Sequence, residues 1–235
     1  MHGLWHHKST DYERKSLALA DYASRRTMMV DTQVRPSDVT KFPIIDAMLS
    51  VPREEYLPAD KAESAYVGEN IMLAGGRTVL EPRTFAKMLD ALMIDPADIV
   101  LDLGCGLGYS TAVLAQMADF VVAVEDDSDR VAEAQQNLSE HGVDNAAVVE
   151  GPLNEGAKKS GPYDIIILQG AAEQVPQALL DQLKEGGRIA VVFAESALGV
   201  VRIGHKLDGR VTWRFAFNAG APVAAGFAKN ATFAL

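Results

Sequence analysis

Cysteine is almost absent from this 235-residue chain, and the one present, Cys105, forms no intramolecular disulfide and excludes a thiolate zinc cluster. No apolar run reaches the length needed to cross a bilayer. The first residues include Asp11 and Glu13 and lack a continuous hydrophobic stretch, which argues against a signal peptide and an organellar transit peptide. Together these absences make the cytoplasm the expected compartment and leave no membrane partner. Basic charge is also short, with 22 Lys and Arg against 32 Asp and Glu, so the formal charge is −10. A broad nucleic-acid-binding surface is not expected on such a chain. Internal repeats and low-complexity tracts are missing as well.

What is present centres on residues 99–115, Ile-Val-Leu-Asp-Leu-Gly-Cys-Gly-Leu-Gly-Tyr-Ser-Thr-Ala-Val-Leu-Ala. The apolar run Ile99 to Leu103 suits a buried parallel strand, Gly104, Gly106 and Gly108 punctuate a turn, and a helix begins at Tyr109. Alternate glycines let backbone approach a ligand where a Cβ would collide. The following helix start offers unpaired N–H groups and a positive dipole end, which suits a carboxylate or phosphate. Cys105, inside this loop, reads as a small side chain beside ligand, since no basic neighbour in sequence would activate it as a nucleophile.

A second apolar strand, Phe120 to Val124, delivers Glu125 and then Asp126. Glu125 lies 21 positions after Gly104, the spacing at which an acid meets ribose hydroxyls. A carboxylate there accepts from a cis-diol and repels a 2′-phosphate, so the expected ligand carries an unphosphorylated ribose. Dinucleotide enzymes share this scaffold, but here the register is G-x-G-x-G, Tyr109 stands at the place of the dinucleotide motif's last glycine, and Asp102 suits an ammonium better than a diphosphate.

The rest of the chain reads as an α/β protein. Residues 1–20, with His2, Trp5, His6 and His7, are expected to be a flexible or non-native extension, with Met28 and Met29 as alternative starts. Residues 21–98 form a helical region with a loop packed on the core, and residues 99–235 the core itself. Phe85, Met88, Leu89, Leu92 and Met93 recur at helical spacing as a core-facing stripe. A helix is expected over Val131 to Leu138, a third strand over Ala146 to Val149, and a fourth over Tyr163 to Leu168 that ends at Gln169. Asp164 reads as a structural residue at that strand's start. A helix from Val175 to Leu183, a turn at Glu185 to Gly187 and a strand from Arg188 to Phe193 follow. Asp208-Gly209 then divides two further strands into a hairpin. No His has a triad or metal partner in the sequence, and no metal site is expected.

Asp102-Leu-Gly-Cys-Gly-Leu-Gly108 with Glu125 resembles the cofactor loop of class I S-adenosylmethionine methyltransferases. Two motifs before it sharpen the likeness: Val51-Pro52-Arg53-Glu54-Glu55-Tyr56, and Gly76-Arg77-Thr78-Val79 with Pro82. In this order they resemble the protein-L-isoaspartate O-methyltransferase family, across roughly residues 38–217. The resemblance implies a Rossmann-like, doubly wound seven-stranded sheet with a C-terminal antiparallel hairpin and an N-terminal helical extension. It implies S-adenosylmethionine as cofactor, S-adenosylhomocysteine as product, and a protein or peptide bearing isoaspartate as methyl acceptor.

It also implies site residues. Asp102, Gly104, Cys105, Gly106, Gly108, Tyr109, Glu125, Asp126 and Gln169 fall at the cofactor. Gly151, Pro152 and Leu153 occupy the family's Gly-Asp-Gly segment, whose acid reads adenine. Leu80 stands where the family has its active-site serine, which leaves Thr78 as the acceptor-loop hydroxyl and the catalytic candidate. Arg77 reads either as a solvated loop charge or as a partner for a substrate carboxylate. Leu80 and Pro152 keep two alternatives open: a different acceptor with the same cofactor, and a cofactor-binding protein without isoaspartyl activity.

Overall fold

The computed structural model describes residues 21–195 and 198–229. The expected extension over residues 1–20 lies outside the described residues. Helix α1 covers residues 21–29 and runs on through a wider turn at Val30–Val34. Helix α2 (Phe42–Ser50) has Pro43 in its first turn, where a missing N–H is harmless. A short two-stranded ribbon, β1 (Ile71–Met72) with β2 (Thr78–Val79), carries the acceptor loop into α3 (Pro82–Leu92).

The remaining chain alternates strand and helix: β3 (Ile99–Leu103), α4 (Tyr109–Ala115), β4 (Phe120–Glu125), α5 (Ser128–Glu140), β5 (Ala146–Glu150), β6 (Tyr163–Ala172), α6 (Gln177–Leu180), β7 (Leu183–Phe193), β8 (Val200–Leu207) and β9 (Arg210–Phe217). The seven long strands form one sheet in the order β5-β4-β3-β6-β7-β8-β9. The first four pairings are parallel and the last two antiparallel, as expected for the doubly wound sheet and its terminal hairpin. From β3 the chain first winds outward to β4 and β5, then returns to β6 on the other side. The crevice at the carboxyl ends of β3 and its neighbours is where this topology places a ligand.

Both faces of the sheet are covered, which is why β3 and β6 read as mainly apolar runs rather than alternating ones, broken only by Asp102, Asp164 and Gln169. On one face Met29, Val30, Ile44, Met48, Phe85 and Leu89 of the helical region share a core with Val113, Ile165, Ala190 and Ile203. On the other, Leu101, Val124, Ile166, Leu168, Val191 and Phe227 pack together. The helical region is therefore built into the sheet's own core.

Several expected boundaries shift. Met93 leaves the α3 stripe: it takes a left-handed conformation with φ 50° just past the helix and is 52% exposed. Helix α5 is longer than Val131 to Leu138, because Asp127 caps it by accepting the Arg130 N–H at 3.0 Å. Strand β6 continues past Gln169 to Ala172, since the chain near Pro222 and Ala224 exchanges hydrogen bonds with Ala171. The helix expected over Val175 to Leu183 is a single turn at Gln177–Leu180, and β7 begins at Leu183. Its expected turn at Gly186 and Gly187 is a bulge, where the pairing jumps from Tyr163 with Leu183 to Ile165 with Arg188. Asp164 behaves as expected, accepting the Ile99 N–H at 2.8 Å and Lys184 at 2.7 Å.

Gly204, in the middle of β8, tests the packing of the hairpin on the sheet. A Cβ there would stand 2.6 Å from Val211 Cγ1 and 2.7 Å from Ile189 Cγ2. Gly204→Ala is expected to cost about 1–3 kcal/mol through overpacking, read as a lower urea midpoint at unchanged slope.

Candidate cofactor and acceptor site

Glu125 is the last residue of β4 and is fully buried. Three strand ends meet there: Gly104 N–H donates to Val124 O at 2.8 Å, and Gly151 N–H to Glu125 O at 3.0 Å. Its carboxylate accepts from the Gly106 N–H at 3.0 Å, so the glycine loop is wrapped around the acid. Gly104, Gly106 and Gly108 all have positive φ (81°, 58° and 101°), which only glycine adopts without strain.

Arg77 overturns its expected role. It is neither solvated nor free for a substrate: it is 2% exposed and grips Glu125 through Nε at 2.9 and 3.1 Å and through Nη2 at 2.9 Å. Nη2 also donates to Asp126. Arg130, in the first turn of α5, adds Nε to Glu125 at 3.0 Å and Nη2 to Asp126 at 3.1 Å. Burial alone would lower the Arg77 pKa, but hydrogen bonds and charge from Glu125 and then Asp126 hold it above its ordinary value. Breaking one side of such a buried pair costs roughly 3–5 kcal/mol.

Asp102 is engaged by side chains of its own chain. Its side chain is wholly buried, and its oxygens accept from Ser110 Oγ at 2.6 Å, Thr111 Oγ1 at 2.8 Å and Gln169 Nε2 at 2.8 Å. Ser110 and Gln169, in turn, line a small cavity of about 10 Å³ with Gly104, Cys105, Tyr109, Thr78, Leu80 and Arg53. That volume holds about one water. Cys105 is inert there: burial pushes its thiol well up, and the charges of Asp102 and Glu125 push the same way.

The acceptor loop closes over this cavity. Thr78 is buried and its hydroxyl donates weakly to Ile71 O at 3.4 Å, inside the β1–β2 ribbon. Leu80 is 1% exposed, and its carbonyl accepts from Arg53 Nη2 at 2.8 Å. Arg53 also donates to Ala65 O at 2.7 Å and stacks 4.6 Å from the centre of the Tyr109 ring. Among the described residues no carboxylate forms an ion pair with it, and burial lowers its pKa. Arg53 thus ties the Val-Pro-Arg segment to the acceptor loop and to the cofactor helix.

On the far side of Glu125 a cavity of about 400 Å³ opens, lined by Asp126, Gly151, Pro152, Leu153, Ala225 and Gly226. Leu153 separates it from the glycine loop: its Cδ1 would stand 3.3 Å from a Cβ on Gly104. The residues read from the sequence therefore gather at two cavities beside Glu125, with Thr78, Cys105, Tyr109 and Gln169 at one and Asp126 and Gly151 to Leu153 at the other. Ser110, Thr111, Arg53 and Arg130 were missed. The first two carry a readable signal, hydroxyls in the first turn after a glycine loop; Arg130 stands four and five residues from the acids it meets, a helical spacing that could have found it, and Arg53 depends on contacts distant in sequence.

The sequence model for the family described as Protein-L-isoaspartate(D-aspartate) O-methyltransferase (PCMT) matches residues 24–215. The chain belongs to the protein-L-isoaspartate O-methyltransferase family. A relative of that name from Koribacter versatilis is 34% identical over 193 residues, covering 82% of this chain and 87% of the relative. One from Vibrio parahaemolyticus is 36% identical over 165 residues, covering 70% and 79%. A solved protein-L-isoaspartate O-methyltransferase superposes with a TM-score of 0.74 at 26% identity, over 86% of this chain and 66% of that one. A Plasmodium falciparum β-aspartate methyltransferase, solved in complex with S-adenosyl-L-homocysteine, has the same fold with a TM-score of 0.73 at 22% identity, over 85% of this chain and 97% of that one.

Asp102 yields a pH-dependent outcome. Burial raises its pKa against the hydrogen bonds from Ser110, Gln169 and Thr111. The folded chain then binds that proton more tightly than the unfolded chain, so Asp102 removes stability as pH rises from about 4 toward its raised value and is level beyond it. Asn cannot titrate and keeps an oxygen for Gln169. The melting temperature of Asp102→Asn minus that of the wild type is expected to grow between pH 4 and pH 8.

Proposed function

We propose that this protein is a methyltransferase of the isoaspartyl-repair type, with S-adenosylmethionine as methyl donor and the carboxylate of an isoaspartyl residue in damaged protein as acceptor. The observation that carries this is Glu125: a buried acid at the end of β4, bonded to the Gly106 N–H of the glycine loop, within the stretch matched by the family. The acceptor fits a ribosyl ligand, since a carboxylate can take both O–H groups of a ribose diol, although Arg77 and Arg130 now donate to the same acid.

Glu125 would accept from the ribose diol, and Gly104, Gly106 and Gly108 would let backbone approach it. Asp126, Gly151, Pro152 and Leu153 would flank the adenine, with Pro152 standing where the family's acid would accept a hydrogen bond and Leu153 supplying apolar contact. Ser110 and Gln169, oriented by Asp102, would meet the methionine end beside Cys105 and Tyr109. The cofactor supplies an electrophilic methyl group on a sulfonium.

A carboxylate acceptor is ionised at neutral pH, so the chain needs no strong general base. Its contribution is alignment and exclusion of water. The cavity beside the acceptor loop is small enough to hold about one water, and Arg53 fixes the loop by holding Leu80 O. Thr78 is the hydroxyl positioned to orient an acceptor, since its bond to Ile71 O is long enough to be exchanged. No described helix is long and apolar enough to cross a membrane, and the cytoplasm is the proposed compartment.

Labelled methyl transfer to an isoaspartyl peptide, beside the same peptide with normal aspartate, tests the reading. Label on the isoaspartyl peptide alone is the expected result. Label on neither, with S-adenosylhomocysteine still bound, would overturn the acceptor and leave the cofactor. Leu80, apolar where the family has serine, is the feature that would then explain it.

A further inference from the structure

Arg77 stands in the one place where a ribose-reading acid is useful. We infer that Arg77 is an internal competitor for Glu125 and thereby sets the affinity of the cofactor site; the inference rests on the proposed binding of S-adenosylmethionine. Both carboxylate oxygens are taken in this structure, Oε1 by Arg77, Arg130 and the Asp126 N–H, and Oε2 by Arg77 and the Gly106 N–H. A vicinal diol needs those same acceptor positions, since a carboxylate has about four lone-pair sites. Arg77 must withdraw before the diol docks.

The competitor also fills space. The Arg77 stem runs over the glycine loop: its Cδ lies 3.5 Å from where a Gly104 Cβ would be, and its Cγ 3.7 Å from that of Gly106. It therefore covers the backbone that the glycines leave open for a ligand. On either side are the 10 Å³ cavity at Ser110 and Gln169 and the 400 Å³ cavity at Asp126 and Leu153. The arginine and Leu153 are what divide a single elongated site into two.

The loop bearing Arg77 is made to release it. Ala74, Gly75 and Gly76 are exposed, both glycines have positive φ, and nothing lies within 4 Å of a Cβ placed on Gly76. The tip is fastened by Arg130 Nη1 to Ala74 O at 3.2 Å and by Leu73 N–H to Arg77 O at 2.7 Å. Withdrawal moves the residue next to Thr78, so cofactor entry is coupled to the acceptor loop.

Arg77→Met keeps the apolar stem and removes the guanidinium. Titration of full-length protein with S-adenosylhomocysteine in a calorimeter is expected to give binding at least about tenfold tighter than wild type, a gain of about 1.4 kcal/mol. Arg77→Lys, which retains a cation for Glu125, is expected to stay much nearer the wild type. The ligand-free melting temperature of Arg77→Met should fall while its rise on adding ligand becomes larger, a split that loss of a purely structural ion pair would not produce. Equal or weaker binding by Arg77→Met, with wild type binding normally, overturns the competitor and leaves the cofactor assignment intact. Absence of binding by all three folded proteins overturns both. A wild-type measurement covers the case in which Arg77→Met does not fold: the observed rate of ligand association should level off with rising ligand, limited by Arg77 release, and a rate that climbs linearly throughout overturns the proposal.

Discussion

The Glu125 carboxylate is the point through which the rest of the structure is tied. It is buried, it ends strand β4, and it receives the glycine loop, the acceptor ribbon and helix α5 through Gly106, Arg77 and Arg130. A buried charge without partners is costly enough to unfold a marginal protein. These three elements are accordingly held to one another by the requirement that Glu125 be satisfied, and any ligand that claims the acid must replace what it displaces.

A second buried acid, Asp102, does complementary work eight residues before Ser110. By accepting from Ser110, Thr111 and Gln169 it fixes side chains that line the smaller cavity. The two carboxylates therefore play different parts, with Glu125 open to exchange and Asp102 holding its neighbours in place. Arg53 is the matching case among the cations, bonding backbone carbonyls and the face of Tyr109 while lying beside Leu80.

Much of this was legible in the sequence because it is encoded locally. The strand, glycine turn and helix of residues 99–115 follow from apolar runs and φ requirements that neighbours alone dictate, and Glu125 follows from strand spacing. Asp208-Gly209 announces its hairpin the same way. What failed was decided at long range. Gly186 and Gly187 look like a turn until Lys184 pairs with Asp164 and the strand begins early; Gln169 looks terminal until residues near Pro222 extend β6. Arg77 is the plainest case, since nothing within its own segment reveals that an acid 48 positions later will bury it.

The wall formed by Ala225 and Gly226 has a consequence for the order of events during synthesis. Those residues reach the cavity because Ala171 pairs with the chain around Pro222 and Ala224, close to the end of the described sequence. A nascent chain that has already delivered β3, β4 and β5 from the ribosome still has an open flank where Gly151 and Leu153 meet solvent. Any stabilisation of the fold by a ligand in that cavity therefore waits until Ala225 and Gly226 have joined Gly151 and Leu153 in its wall.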